Sequence, residues 1–390
     1  LILAPRDYLS TFLKIGTIVA LAIGILVTMP ELKMPALTQF VDGTGPVWKG
    51  GLFPFLFITI ACGAVSGFHA LISSGTTPKL LDNETNARYI GYGGMLMESF
   101  VAIMAMVAAS VIEPGVYFAM NSPAAVVGGD VVAVATAVSN WGFAITPEAL
   151  QAVAHDIGET TILARAGGAP TLAVGIAQIL HSVLPGENTI TRAGRFMLQD
   201  LLGSFVPALK RTESWTANLI ATAGCVAMWG WLLYQGVIDP LGGINTLWPL
   251  FGISNQMLAG IALMLGTVVL IKMKRQRYVW VTMLPAVWLL ICTTTAGFIK
   301  LFDANPAIGF LALAKKYSDA LANGQILAPA KDITQMQHVI FNAYTNATLT
   351  ALFLFVVFSI LFYALKVGIA AWGKKERTDK ESPFQALPDA

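Results

Sequence analysis

The sequence has few charged residues. Only 12% of its 390 residues are Asp, Glu, Lys or Arg, whereas an ordinary soluble domain has about 25%. So little charge cannot cover the two or three soluble domains that fit this length. A formal net charge of +2 also gives no basic surface for DNA or RNA. These shortages exclude a soluble enzyme, a disordered regulator and a nucleic-acid-binding protein, and they leave a polytopic membrane protein.

Cysteines and catalytic motifs are scarce as well. The three cysteines, Cys62, Cys225 and Cys292, form no CxxC pair and no zinc spacing. The four histidines stand far apart, and the HExxH, GxSxG and GxxxxGK[ST] motifs are absent. We therefore expect no disulfide framework, no metal site, no cofactor and no enzyme.

Long apolar runs are what the sequence does have, with 56% hydrophobic residues overall. A helix that crosses a bilayer needs about 20 mainly apolar residues. We assign seven clear spans and one weaker, short span at 169–184, which contains Gln178 and His181. The clear spans are 15–29, 51–72, 89–112, 215–238, 244–271, 278–299 and 346–365. Continuous apolar runs predict helices and not barrel strands, so the predicted fold class is an all-α polytopic membrane protein with about eight transmembrane helices.

The basic residues predict the orientation. If the first residues are cytoplasmic and the spans alternate, 17 of the 24 Lys and Arg residues lie on the cytoplasmic side, where they are enriched. The predicted segments are membrane helices at 1–112 with a broken helix at 51–80, an extracytoplasmic loop region at 113–168, membrane helices at 169–299, an extracytoplasmic loop at 300–345, and a last helix with a cytoplasmic tail at 346–390. Both chain ends are therefore expected in the cytoplasm.

Glu98 is the one formally charged residue within the seven clear spans. An ionised carboxylate in a bilayer is unfavourable unless it is paired or faces water. Two roles stay open. Glu98 titrates as part of a proton relay, or its carboxyl group hydrogen-bonds the exposed backbone of a neighbouring broken helix, and one residue can do both.

The end of the second span is polar and rich in glycine. It contains Ser66, Gly67, Phe68, His69, Ser73, Ser74, Gly75 and Thr76. Glycine permits non-helical backbone, serine competes for backbone hydrogen bonds, and Thr77-Pro78 is typical of a helix start. This pattern predicts a helix broken at 66–76, beside a cavity for a carboxylate or an ion. The alternative is a helix that ends at the interface before a polar loop.

His69 and the pair Asn255 and Gln256 are further candidates. A lone histidine is more often a structural group, but His69 is near the predicted break and on the same side as Glu98, which favours a proton relay. Ser254, Asn255 and Gln256 point in three directions, so at least one faces neighbouring helices. Hydrogen bonding between helices is the plainer interpretation of these residues, and a place in the binding site is the other.

Several longer motifs resemble the carbon starvation protein A (CstA) family over nearly the whole chain. They are APRDYLSTFLK at 4–14, SGFHALISSGTTPK at 66–79, RYIGY at 88–92, MESF at 97–100, GRFMLQDLLG at 194–203 and WPLFGISNQ at 248–256. The resemblance implies a transporter of the bacterial inner membrane, with peptides taken up in carbon starvation, or pyruvate, as the small-molecule substrate. It also implies a LeuT-like fold of two inverted five-helix repeats, of which 51–72 opens the second.

The resemblance places the substrate and ion site on residues 66–69, Ser73, Ser74 and Glu98. It implies an upstream part of the same polypeptide, and a further helix before residue 194, where this sequence has only 186–192 after Pro185. The resulting hypothesis is a secondary transporter in the lipid bilayer that couples substrate import to H⁺ or Na⁺. The alternative is a non-transporting membrane scaffold or sensor.

Overall fold

The computed structural model is helical in the part of the chain that it describes, with no strand there. It describes residues 3–47, 49–60, 63, 65–75, 77–157, 159–163, 167–181, 230–231, 234, 238–241 and 243–373. The α-helices are α1 Leu3–Thr28, α2 Leu52–Thr59, α3 Gly67–Gly75, α4 Asn86–Val111, α5 Pro114–Asn121, α6 Ala124–Val127, α7 Val131–Asn140, α8 Pro147–Asp156, α9 Gly168–His181, α10 Gly243–Lys272, α11 Val279–Phe302, α12 Phe310–Ala322 and α13 Ile333–Trp372.

Four helices among the described residues are long and apolar enough to cross a membrane. They are Asn86–Val111, Leu250–Lys272, Gln276–Phe302 and Ile333–Trp372. The chain is thus a multi-pass membrane protein, and the predicted helices at 89–112, 244–271, 278–299 and 346–365 are confirmed. The count of eight spans stays a prediction, as do the sidedness and the predicted segment boundaries.

The other predicted spans have different outcomes. The apolar part of α1, Ile15–Thr28, and that of α9, Pro170–Ile179, are shorter apolar helices. The span 51–72 is divided between α2 and α3. The span 215–238 lies mostly outside the described residues, and the motif at 194–203 lies wholly outside them.

The chain divides into two compact units. The first consists of Leu1–Lys49 and Asn83–Leu232 and includes α1 and α4 to α9. Its predicted loop region, 113–168, supplies most of a hydrophobic core that also includes Ile112 and Val174, and in this core Phe118 stacks on Phe143 at 4.7 Å between ring centroids. Asp130 caps α7 by accepting the N–H groups of Val132 and Ala133. Because the side chain of such a cap satisfies N–H groups that a helix leaves unbonded, these short helices are well defined.

The second unit consists of Gly50–Asp82 and Leu233–Ala390, with α2, α3 and α10 to α13. Helix α10 packs against α2, α3, α11 and α13. At one end of this unit the Lys274 ammonium donates to the Ala371 carbonyl at 2.7 Å, which places a positive charge at the C-terminal end of α13, where the helix dipole favours it. Helix α10 is therefore the element around which the candidate site is arranged.

Candidate functional site

The second predicted span is interrupted, but not where the pattern predicts. Helix α2 ends at Thr59 and α3 begins at Gly67. Since Gly67–Gly75 is helical, the prediction of a break at 66–76 is wrong in position. Thr77-Pro78 starts only a 3₁₀ turn, Thr77–Lys79. The described non-helical residues directly before α3 are Val65 and Ser66, so the interruption lies on the N-terminal side of Gly67.

Close packing on α10 explains why the new helix starts at Gly67. A Cβ at this position would collide with the carbonyl oxygen of Asn255 and with Cβ of Leu258, so the two backbones touch. The ring of Phe68 stacks on Phe251 of α10 with 5.6 Å between centroids. Because backbone and ring contacts both hold the first turn, α3 has a defined start against α10.

Asn255 caps the start of α3 from the neighbouring helix. Its Oδ1 accepts the backbone N–H of Phe68 at 3.0 Å and the hydroxyl of Ser66 at 3.4 Å. The first N–H groups of a helix have no partner within that helix, and a side-chain oxygen is their usual substitute. Asn255 performs this role although it is distant in sequence.

Gln256, the next residue, binds the end of α2. Its Nε2 donates to the carbonyl oxygen of Phe57 at 3.5 Å, and its Oε1 lies 3.1 Å from the hydroxyl of Thr293 on α11. The last carbonyl groups of a helix lack partners in the same way as the first N–H groups. Two adjacent side chains of α10 thus form hydrogen bonds with the two helix ends on either side of the interruption.

The amide nitrogen of Asn255 is the unusual atom of this arrangement. Asn255 is fully buried, and among the described residues Nδ2 has no hydrogen-bond partner. The N–H of Phe68 requires an oxygen, which fixes the amide orientation and excludes an exchange of Oδ1 and Nδ2. A buried donor without a partner costs about 1–3 kcal/mol, so this donor indicates a ligand position at the interruption.

The other predicted site residues have different places. His69, Ser73, Ser74 and Gly75 are exposed residues of α3, and the hydroxyls of Ser73 and Ser74 donate to their own helix, to the carbonyls of Ala70 and Leu71. The structure brings Ser66, Gly67 and Phe68 together with Asn255, and Gln256 next to them. Glu98 is an exposed residue of α4 in the first unit, and Thr76 lies outside the described residues.

The sequence-based prediction did not identify two buried charged residues of the second unit, Lys300 and Asp239. Lys300 lies inside α11 because this helix continues to Phe302, beyond the predicted end of the span at 299. Asp239 directly follows the span predicted at 215–238. Both side chains are at most 5% exposed. Lys300 shares a helical face with Thr293, a spacing that could have identified it.

Asp239 is held by two hydrogen bonds. The amide of Asn342 on α13 donates to its Oδ2 at 2.8 Å, and the N–H of Leu241 donates to its Oδ1 at 2.8 Å. Burial raises the pKa of Asp239, while these two hydrogen bonds and the charge of His338 oppose the rise. The negative charge of Asp239, together with burial, raises the pKa of Tyr317 in turn.

The arrangement at the interruption is suited to binding an anion. It provides N–H donors of a helix start, the hydroxyl of Ser66 and the buried amide of Asn255. In the described part of the chain no group of three or more His, Cys, Asp or Glu side chains is close enough to hold a metal ion. A carboxylate accepts hydrogen bonds from donors of this kind.

The comparisons with known proteins agree on one family. A family profile for carbon starvation protein CstA matches residues 1–190 and 183–296. The pyruvate/proton symporter BtsT of Escherichia coli K12 is 60% identical over 433 aligned positions, which cover 100% of this chain and 60% of that protein. The peptide transporter CstA of the same organism is 59% identical and is covered to 59%. The Campylobacter jejuni peptide transporter CstA is 56% identical over 77% of this chain. No solved structure matches.

The chain spans about 60% of the length of the two Escherichia coli relatives. The alignment with BtsT is also longer than the chain, with 433 positions against 390 residues, so at least 43 positions have no counterpart here. The two parts of the family match meet at 183–190. This is next to 186–192, where the resemblance implies a further helix, and these residues lie outside the described part of the chain.

Proposed function

The chain belongs to the carbon starvation protein CstA family, and from this membership we propose that the whole protein is a secondary active transporter. The proposed substrate is a peptide or a small carboxylate such as pyruvate, imported across the bacterial inner membrane with H⁺ or Na⁺. The names of the two Escherichia coli relatives, a pyruvate/proton symporter and a peptide transporter, support this proposal. Both substrates carry a carboxylate.

One observation carries the location of the binding site. The buried Nδ2 of Asn255 has no partner among the described residues, and it shares a carbon atom with the Oδ1 that caps α3. A donor in this position forms its hydrogen bond with an acceptor atom of the bound substrate. A carboxylate oxygen fits because it accepts more than one hydrogen bond.

The helix start adds to the attraction of an anion. The first N–H groups of α3 carry partial positive charge from the helix dipole. The N–H of His69 in this first turn donates to the hydroxyl of Ser66 at 3.4 Å. We propose that the substrate carboxylate lies between this helix turn and the Asn255 amide.

Glu98 and His69 are the proposed coupling groups. Glu98 is the one acid within the clear spans, and His69 lies in the first turn of α3. Binding of a proton to either group adds the positive charge that accompanies an anionic substrate. Na⁺ is the alternative coupling ion.

We also propose the finer architecture that the resemblance implies. It comprises about eight spans, a LeuT-like second repeat that opens with α2 and α3, and both chain ends in the cytoplasm. The non-helical residues Val65 and Ser66 directly before α3 support the repeat, since broken helices open the binding sites of such transporters. The basic residues at 272–277 support the orientation.

Uptake into proteoliposomes tests the function. The complete protein as it is encoded is reconstituted, and labelled pyruvate and a labelled dipeptide are offered with a pH gradient, a Na⁺ gradient or neither. We expect gradient-driven accumulation of at least one substrate. In Glu98→Gln we expect binding to persist and accumulation driven by the pH gradient to be lost.

Different results lead to different conclusions. Accumulation that is unchanged in Glu98→Gln removes Glu98 from coupling but leaves the transporter in place. Binding without uptake under any gradient contradicts transport and supports the scaffold or sensor. Neither binding nor uptake of either carboxylate contradicts the proposed substrate class.

A further inference from the structure

The ammonium group of Lys300 is buried inside a membrane helix. Lys300 lies in the last turn of α11 and is 5% exposed. Its Nζ is 5.1 Å from the ring centroid of Phe55 on α2 and 5.8 Å from that of Phe310 on α12. Among the described residues no carboxylate forms an ion pair with it. A charged group in this setting needs a partner of opposite charge.

The nearest acid in the sequence, Asp303, acts on Lys300 through its charge but forms no ion pair with it among the described residues. Oδ1 of Asp303 accepts the N–H of Asn305 at 2.8 Å in the turn after the helix. The aromatic rings attract a cation through their faces, but they do not neutralise its charge. The Lys300 ammonium therefore lacks a carboxylate in direct contact, and this position attracts an anion.

We infer that Lys300 is a second anion-binding position, which receives the substrate carboxylate on its way to or from the interruption between α2 and α3. This inference rests on the proposed function, since it assigns the same substrate class to a second site. It concerns a residue to which neither the resemblance nor the relatives' names assign a role.

The helix geometry connects the two positions. Thr293, Gly297 and Lys300 are all buried and lie on one face of α11. Lys300 is seven residues from Thr293, about 10 Å along the helix axis. Thr293 contacts Gln256, which binds the end of α2, and Lys300 contacts α2 through Phe55. An anion at Lys300 is thus next to the same half-helix, about two turns of α11 away from the interruption.

The surroundings select the class of anion. A single ammonium group next to two phenylalanine rings offers few hydrogen-bond donors. Phosphate is usually bound by several donors or by the bidentate guanidinium group of arginine. A carboxylate needs fewer donors, and the methyl group of pyruvate or a peptide side chain fits an aromatic wall.

The test measures anion binding separately from transport. The thermal unfolding midpoint of the complete protein in detergent is followed as acetate, pyruvate or a dipeptide is added, with pyruvamide as the neutral control. We expect the carboxylates to raise the midpoint and pyruvamide to have little effect. The site at Asn255 is intact in Lys300→Gln, so we expect the rise of the midpoint at saturating carboxylate to be smaller than in the wild type, and in Lys300→Arg to match the wild type, because the charge is kept.

Matched variants exclude a purely structural role. Lys315 and Lys316 are exposed lysines of α12, and Lys315→Gln should leave carboxylate binding unchanged. Lys300→Met replaces a buried charge by an apolar chain of similar length, so its midpoint without ligand should equal or exceed that of the wild type. A lower midpoint of Lys300→Met, with the rise at saturating carboxylate unchanged in Lys300→Gln, would show a structural lysine and overturn the inference.

The inference and the proposed function fail in distinguishable ways. If carboxylates stabilise the wild type and Lys300→Gln equally, or stabilise neither, the inference is overturned even where uptake of pyruvate or dipeptide persists. If acetate stabilises the wild type more than Lys300→Gln, and no uptake occurs under any gradient, Lys300 is an anion site and transport is contradicted.

Discussion

Asn255 accepts the backbone N–H of Phe68 through Oδ1 at 3.0 Å, while its Nδ2 is buried without a partner among the described residues. One side chain thus stabilises a helix start and holds a donor ready next to it. The hydrogen bond that orients the Asn255 amide therefore also determines where its Nδ2 donor points.

Asn255→Asp separates the two tasks of this side chain. Aspartate keeps oxygens for Phe68 and Ser66, and a helix start favours negative charge, so we expect α3 to stay folded, with a lower unfolding midpoint because position 255 is fully buried. The variant has no Nδ2 donor and repels an anion, so carboxylate affinity should fall at least about tenfold. Calorimetric titration with pyruvate and a dipeptide measures the affinity.

The neighbouring Ser254 provides the control for this prediction. Its hydroxyl donates to the carbonyl of Phe251 in its own helix at 3.0 Å, so Ser254→Ala should bind the carboxylate as the wild type does. Wild-type affinity in Asn255→Asp would refute the assignment of Nδ2 to the substrate.

Gly67→Ala tests the close approach of α3 and α10. The added Cβ meets backbone atoms of Asn255 and Ala259, which cannot turn aside as a flexible side chain does. We expect a loss of about 1–3 kcal/mol in the free energy of unfolding. Gly75→Ala in the same helix has open space around its Cβ and should change stability by less than about 1 kcal/mol. Equal effects of the two substitutions would argue against the tight contact.

Gln256 and Thr293 form a pair that a double-mutant cycle can measure. The one hydroxyl proton of Thr293 is shared between the carbonyl of Leu289 at 2.6 Å and Oε1 of Gln256 at 3.1 Å. We expect a coupling of about 0.6–1.7 kcal/mol between Gln256→Leu and Thr293→Val, as for other hydrogen bonds between membrane helices. Additive losses in the unfolding free energy would show that the contact between α10 and α11 does not depend on this bond.

Asp239 predicts a pH dependence of stability. Burial raises its pKa in the folded protein above the ordinary value of 3.8, so the folded protein holds this proton more tightly than the unfolded chain does. The resulting stabilisation is fully present below pH 3.8 and is lost as the pH rises through the raised folded pKa. The unfolding midpoint should therefore fall over this range, and hydrogen–deuterium exchange at Leu241 reports on the same region.

Asp239→Asn should remove this fall. The asparagine oxygen accepts the N–H of Leu241, and its amide group bonds Asn342 once the Asn342 amide turns over. The variant should be flatter in its pH dependence and at least as stable as the wild type at neutral pH. His338→Gln is the companion variant, because the histidine charge opposes the rise of the Asp239 pKa. An unchanged pH profile in Asp239→Asn would assign the dependence to other groups.

The membrane helices could be predicted because their physical cause is local. About 20 consecutive apolar residues are enough for a helix to cross a bilayer, whichever helices pack against it. The helices that contain Glu98, Asn255 and Thr293 follow that rule. The ends of helices were less predictable. The last helix begins at Ile333, earlier than its apolar run, because the cap formed by Asp332, which accepts the N–H of Gln335, depends on a local turn and not on hydropathy.

The site was predictable only in part. Glycine and serine at 66–76 indicated an irregular helix, but Gly67 starts a helix instead of breaking one, because the backbone of α10 lies against it. In the sequence Lys300 directly follows a predicted span, but in the structure it is buried next to two phenylalanine rings from other helices. Such positions depend on residues far apart in the sequence, which a pattern along one chain does not reveal.

The sequence by itself determined that this chain is an all-helical membrane protein of the CstA family, since charge content, apolar length and long motifs are properties of the chain alone. Only the tertiary structure decided which polar side chains meet. It placed Asn255 at the start of α3 and Gln256 at the end of α2. It also left Nδ2 of Asn255 without a partner among the described residues and buried Lys300 and Asp239. The physical reason is that the cost of burying a polar or charged group is set by its neighbours in space.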